Sequence, residues 1–97
     1  MHLTEHEINT IKDFFNKRPV VKAYLFGSYA RKEANSESDV NILVELDDTD
    51  NTDDGSAKMK EDLQSRMNKR IDLVSTTKVS KYFLPFIEHD KKLIYKK

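Results

Sequence analysis

The 97-residue sequence predicts an α+β domain with a small mixed sheet flanked by helices. Three observations predict it. Apolar residues recur at helical spacing near the start, in the middle and near the end. Three compact β-rich runs lie between them. Only two glycines and two prolines interrupt the chain, so most of it is available for regular elements.

The elements follow in order. Thr4-Glu5-His6-Glu7 has the pattern of a capping box, in which the threonine oxygen accepts from the amide three residues on and the glutamate reaches back. Ile8, Ile11 and Phe15 then share a helical face with Phe14 beside them. This helix must end before Pro19, because the residue preceding a proline avoids the α region. "VVKAYLF" at 20–26 reads as a buried strand that Gly27-Ser28 terminates. "YARKEA" at 29–34 is expected to form a short helix before the polar turn "NSES". "VNILVEL" at 40–46 is a second strand, with Val40, Ile42, Val44 and Leu46 on one face and Asp39, Asn41, Leu43 and Glu45 on the other. The acidic run at 45–55 is expected to be a solvated loop. Met59, Leu63 and Met67 mark another helix. "RIDLVS" at 70–75 is a third strand that sets Asp72 and Val74 opposite Ile71 and Leu73. Val79, Phe83, Phe86 and Ile87 keep helical spacing, with Pro85 either in the first helical turn or at a kink. "LIY" at 93–95 completes the chain as a short strand. Tyr82, Phe83 and Phe86 are expected in the core; any left exposed would suit a partner helix.

Composition narrows the function classes. Seventeen basic and seventeen acidic residues give a formal charge of zero, which disfavours a dedicated nucleic-acid binder. With no cysteine, a disulfide framework and a thiolate zinc site are both excluded. The histidines are too scattered for a metal site. No apolar run approaches the roughly 20 residues that cross a bilayer, and no signal-peptide pattern opens the chain. The expectation is a single soluble, cytoplasmic domain over 1–97, with a motif core at 20–75 and no membrane partner. Lys91, Lys92, Lys96 and Lys97 make the last segment basic, ordinarily a solvated tail but also a surface that could touch RNA or an acidic partner.

The chemistry concentrates in "GSYARKEANSESDVN" and in Asp72. Gly27 permits close approach of the backbone to a ligand, and the Ser28 amide and hydroxyl can hold phosphate oxygens. Arg31 can clamp a phosphate with its planar fork. If the second and third strands are neighbours, Asp39 and Asp72 meet near the Gly-Ser turn. Two close carboxylates repel unless they share a proton or a cation. Mg²⁺ held by them and by substrate phosphates resolves that repulsion.

Gly-Ser, a ten-residue spacer at 29–38, Asp-x-Asn and then "IDLV" on a later strand resemble the minimal nucleotidyltransferase (MNT) family of the polymerase-beta-like superfamily. By that resemblance the fold is a polymerase-beta-like nucleotidyltransferase fold. Gly27 and Ser28 bind a nucleoside triphosphate, with Arg31 as a further phosphate contact. Asp39 bridges two Mg²⁺ ions, and Asp72 binds the catalytic metal and helps deprotonate an acceptor hydroxyl. The implied reaction moves a nucleoside monophosphate, AMP from ATP, to a hydroxyl of a protein or RNA. The implied partner is a HEPN-type protein, which such antitoxins AMPylate or sequester. The family's second Asp is Asn41 here. An amide oxygen can still coordinate the nucleotide's metal, but without charge. Two readings therefore stand: an active transferase, and a degenerate copy that binds nucleotide and neutralises its partner without chemistry.

Overall fold

The computed structural model describes residues 3–47 and 55–97; most of the acidic run, 48–54, lies outside the described residues. Helix α1, Glu5–Asn16, is followed by strand β1, Val20–Phe26, and a single 3₁₀ turn at Gly27–Tyr29. Strand β2, Val40–Leu46, helix α2, Ser56–Met67, and strand β3, Ile71–Ser75, come next. Helix α3, Leu84–Asp90, and strand β4, Lys92–Lys96, close the order. The sheet runs β3-β2-β1-β4, with β1 antiparallel to both β2 and β4 and β2 parallel to β3. A parallel pair cannot be joined by a tight turn, and α2 is the crossover that joins this one.

One face of the sheet carries the core. Val20, Ala23, Val40, Ile42, Val44 and Ile71 pack with Ile11, Phe14 and Phe15 of α1 and Met59 and Leu63 of α2. The β2 alternation expected from the sequence holds, with Val40, Ile42 and Val44 fully buried. Leu43 points to the opposite face and is buried as well, beside Tyr24 and Val74 in register. That second face also receives α3, which touches β1 and buries Ile87.

The capping box forms: the Thr4 hydroxyl accepts from the Glu7 amide and the Glu7 carboxylate accepts from the Thr4 amide. Arg18 stacks over the Phe14 ring at 3.5 Å where the chain leaves α1. Asn68, in the left-handed region at φ 54°, stops α2, and the Gln64 side chain accepts from the Ile71 amide. Pro85 sits in the first turn of α3, where its missing N–H costs nothing.

Two expectations are corrected. The helix expected at 29–34 does not form beyond the 3₁₀ turn. Lys32 turns left-handed at φ 63°, the Glu33 amide bonds the Ser28 carbonyl and the Lys32 amide bonds that of Tyr29. This Schellman-type closure ends the helix after one turn. Buried Tyr29, Ala30 and Ala34 hold the segment to the core, while the Asn35 amide donates to the Ser38 hydroxyl and the Glu37 amide donates to the Asn35 side-chain oxygen, which fixes the polar turn. The second correction concerns the aromatics. Tyr82, Phe83 and Phe86 are 87%, 64% and 72% exposed, because α3 is short and spends its inward face on Ile87.

Two stability predictions follow from this packing. For Glu7, burial raises the carboxyl's pKa, but the Thr4 amide and hydroxyl and the Lys69 ammonium at 3.2 Å outweigh it, and the net shift is downward from 4.5. A lowered folded value stabilises fully above the unfolded value and is lost as pH falls through the folded one. Glu7→Gln is therefore expected to cost less than about 1 kcal/mol at pH 7, with the deficit shrinking as pH falls below 4.5 and through the lowered folded value in urea titrations run across pH. The buried Tyr95 hydroxyl has no hydrogen-bond partner among the described residues. Tyr95→Phe should accordingly raise stability by about 1 kcal/mol, read from the urea midpoint; a loss would mean that the hydroxyl is satisfied.

Candidate functional site

The sheet gathers the chemistry at one end. Phe26, the last residue of β1, lies opposite Asn41 near the start of β2, and Asn41 lies opposite Asp72 near the start of β3. Val40 donates its amide to the Arg70 carbonyl, which locks the parallel register at that end. Because alternate residues share a face, Asn41 and Asp72 project together from the side that carries α3 rather than into the core.

Gly27 follows immediately, at φ 78°. A side chain there would place its Cβ 2.5 Å from the Asn41 amide nitrogen. The glycine is required for a backbone conformation that L side chains avoid, whereas the Asn41 amide, a flexible end, would have to swing aside to admit a Cβ.

Between this end of the sheet and α3 lies a cleft of about 530 Å³. Its polar groups come from Gly27, Arg31, Asp72, Lys78, Ser80 and Asp90, and its apolar area includes Phe83, Phe86 and Ile87. The volume is within the roughly 300–1,000 Å³ of small-molecule sites. A second depression, of about 440 Å³ between α1 and β4, is lined by Lys12, Asp13 and Asn16 with residues of β4 and gathers no comparable set of groups.

Arg31 crosses the cleft's polar side. Its Nη1 donates to Asp90 Oδ2 at 2.6 Å and its Nε to Glu33 Oε2 at 3.1 Å. The hydrogen bonds to Glu33 and Asp90 hold the guanidinium's pKa above its usual value. This fork thereby ties the Gly-Ser turn to the end of α3, and an incoming phosphate would compete with two carboxylates for it. Sequence reasoning placed Arg31 here but could not see Asp90, fifty-nine residues away, as its partner.

Asp39 stands just before β2 and is half exposed. Arg70 Nε lies 3.1 Å from its Oδ1, and the same guanidinium donates to the Glu37 carbonyl. Of the sequence-derived set, Gly27, Arg31 and Asp72 line the cleft. Asn41 abuts Gly27 and Asp72, whereas Ser28 and Asp39 lie at the margin, outside the lining residues. Among the described residues, no three or more His, Cys, Asp and Glu side chains converge to hold a metal. Asp39, Asn41 and Asp72 would offer a donor set of two carboxylates and an amide. It fits a hard cation such as Mg²⁺, which characteristically completes its shell with water and substrate phosphates.

Gly27→Ala is expected to cost about 1–2 kcal/mol from the left-handed backbone alone. Most of that cost should persist in an Asn41→Ala background, because the amide is a flexible end that can swing aside while φ cannot. Urea melts of the two single variants and the double variant read this directly. Disappearance of the cost in the Asn41→Ala background would show that crowding, not the backbone, requires the glycine.

Comparison with known proteins bears on this arrangement. The family model described as polymerase beta, nucleotidyltransferase matches residues 9–97. No curated protein matches the chain in sequence. Solved structures match its fold. A toxin-antitoxin structure with AMP-PNP superposes with a TM-score of 0.79 at 23% identity, covering 93% of this chain and 73% of that one. A tri-AMPylated HEPN toxin in complex with its MNT antitoxin, from Shewanella oneidensis, gives 0.74 at 21% identity over 96% and 72%. The toxin-antitoxin MntA-HepT gives 0.74 at 20% over 97% and 74%. At these identities the structures speak for the fold alone. Together with a family model that spans nearly the whole sequence, the mixed sheet and its glycine-marked cleft show that the chain belongs to the polymerase beta nucleotidyltransferase family.

Proposed function

We propose that the chain transfers a nucleoside monophosphate, AMP from ATP, to a hydroxyl of a HEPN-type partner protein, as the antitoxin of a toxin-antitoxin pair. The observation that carries this reading is the register that sets Asp72 beside Asn41 at the mouth of a cleft opened by positive-φ Gly27. Support comes from family membership and from structural neighbours that include a complex with AMP-PNP and an AMPylated HEPN toxin.

In this reading the Gly27-Ser28 turn receives the triphosphate, since a glycine without Cβ lets phosphate oxygens approach the backbone amides. Asp39, the Asn41 carbonyl oxygen and Asp72 would hold Mg²⁺, which when bound neutralises the phosphate charge and sharpens the acceptor's acidity. The acceptor oxygen attacks the α-phosphorus as the bond from that phosphorus to the bridging oxygen breaks. Pyrophosphate departs, and the acceptor's proton passes to the Asp72 carboxylate. To serve as a ligand, Asp39 must exchange Arg70 for the cation, and Arg31 must turn from Asp90 or Glu33 to reach a phosphate.

A second reading has its own observations. Asn41 brings no charge where the family has an acid, and Arg70 already pairs with Asp39. Both favour a copy that binds nucleotide and its partner without turnover.

The deciding experiment follows label from α-labelled ATP with Mg²⁺ or Mn²⁺ to a HEPN-type protein encoded beside this one. The wild type is expected to transfer label, Asp39→Ala to transfer none, and Asn41→Asp to transfer at least about tenfold faster, a barrier difference of about 1.4 kcal/mol. Transfer by Asn41→Asp alone would establish the binding-only reading for the natural protein. Silence from all three would sink the transferase reading.

A further inference from the structure

Phe83 and Phe86 are large apolar rings left in water, and they stand on the wall of the cleft that holds Gly27 and Asp72. Phe83 caps the start of α3 with helical backbone angles, and Phe86 is three residues on, so both rings lie on one face. The cleft is thus divided. Arg31 and Asp72 stand on the side of the turn and the sheet, Lys78 and Asp90 on either side of the start of α3 in sequence, and Phe83 and Phe86 form an aromatic area at that start. A nucleotide has the same division: anionic phosphates at one end and a flat, weakly polar ring at the other.

We infer that Phe83 and Phe86 form a stacking platform for the nucleobase of the bound nucleotide. The inference rests on the nucleotide reading of the site and adds to it the residues that hold the base. At the start of α3 the wall offers two aromatic faces, while Asp90 at its other end is engaged by Arg31. Stacking of this kind is tolerant of base identity, because every base has a π-face. The platform therefore distinguishes a nucleotide from a bare polyphosphate, while discriminating weakly among bases and favouring the larger purines.

The test measures binding of Mg-ATP, Mg-UTP and Mg-tripolyphosphate by isothermal titration calorimetry. It uses the full chain in wild-type, Phe86→Ala, Phe83→Ala/Phe86→Ala and Phe86→Trp forms. Both rings are exposed, so urea midpoints are expected to stay close to wild type and serve as the folding control. The wild type should bind ATP at least about tenfold more tightly than tripolyphosphate. The double variant should bring that ratio close to one with tripolyphosphate affinity unchanged, and Phe86→Trp should preserve it. UTP should fall between ATP and tripolyphosphate. If tripolyphosphate binds and ATP binds no tighter, the platform is wrong while the phosphate site stands. If the ratio survives loss of both rings, they serve some other surface, such as a protein partner, and the inference falls. Binding of neither ligand would overturn the nucleotide reading and the platform with it.

Discussion

The parallel pairing of β2 with β3 is the constraint on which the site depends. It requires a crossover, and α2 supplies one whose Met59 and Leu63 bury against the sheet. The Val40 amide on the Arg70 carbonyl and the Ile71 amide on Gln64 fix where the third strand starts. A slip of one residue would exchange the faces of β3, burying Asp72 and exposing Ile71 and Leu73. The hydrophobic face thus enforces the placement of the carboxylate beside Asn41, and core packing and chemistry are set by one register.

The Gly-Ser turn depends on that register in its turn. Gly27 lies against Asn41 because β1 ends beside it, and the left-handed Lys32 closes a turn whose Tyr29 and Ala30 are buried. The Arg31 fork then joins the turn to Asp90, which is largely buried at the end of α3. Sheet edge, turn and helix form one chain of dependence, and no single element makes the cleft.

Most of the fold was legible in the sequence because its signals are local. The capping box at Thr4 and Glu7, the strand alternation around Ile42, and the stripe of Met59 and Leu63 each belong to one element. Gly27, Asn41 and Asp72 were legible as a spacing. What escaped was decided by tertiary balance. The segment after Gly27 has helix-forming residues, yet the Schellman closure at Lys32 and the buried alanines ended its helix after one turn. Phe83 and Phe86 keep helical spacing with Ile87, but a seven-residue helix has one inward stripe, and Ile87 filled it. The partners of Arg31 and Asp39 were invisible because side-chain pairing over long separations leaves no periodic trace.

The shortness of α3 has a consequence for how the molecule moves. Seven residues are too few to hold a helix by propensity alone. Besides the burial of Ile87, this helix is held by the Asp90–Arg31 ion pair, by the Lys91 ammonium 4.4 Å from the Tyr24 ring and by β4, which follows it and pairs with β1. Such an element is expected to open at a free energy well below that of global unfolding, and the strands behind it to exchange more slowly. One wall of the cleft is therefore expected to open before the other, and occupancy of the cleft would register as slowed amide exchange in α3 before any change in the sheet.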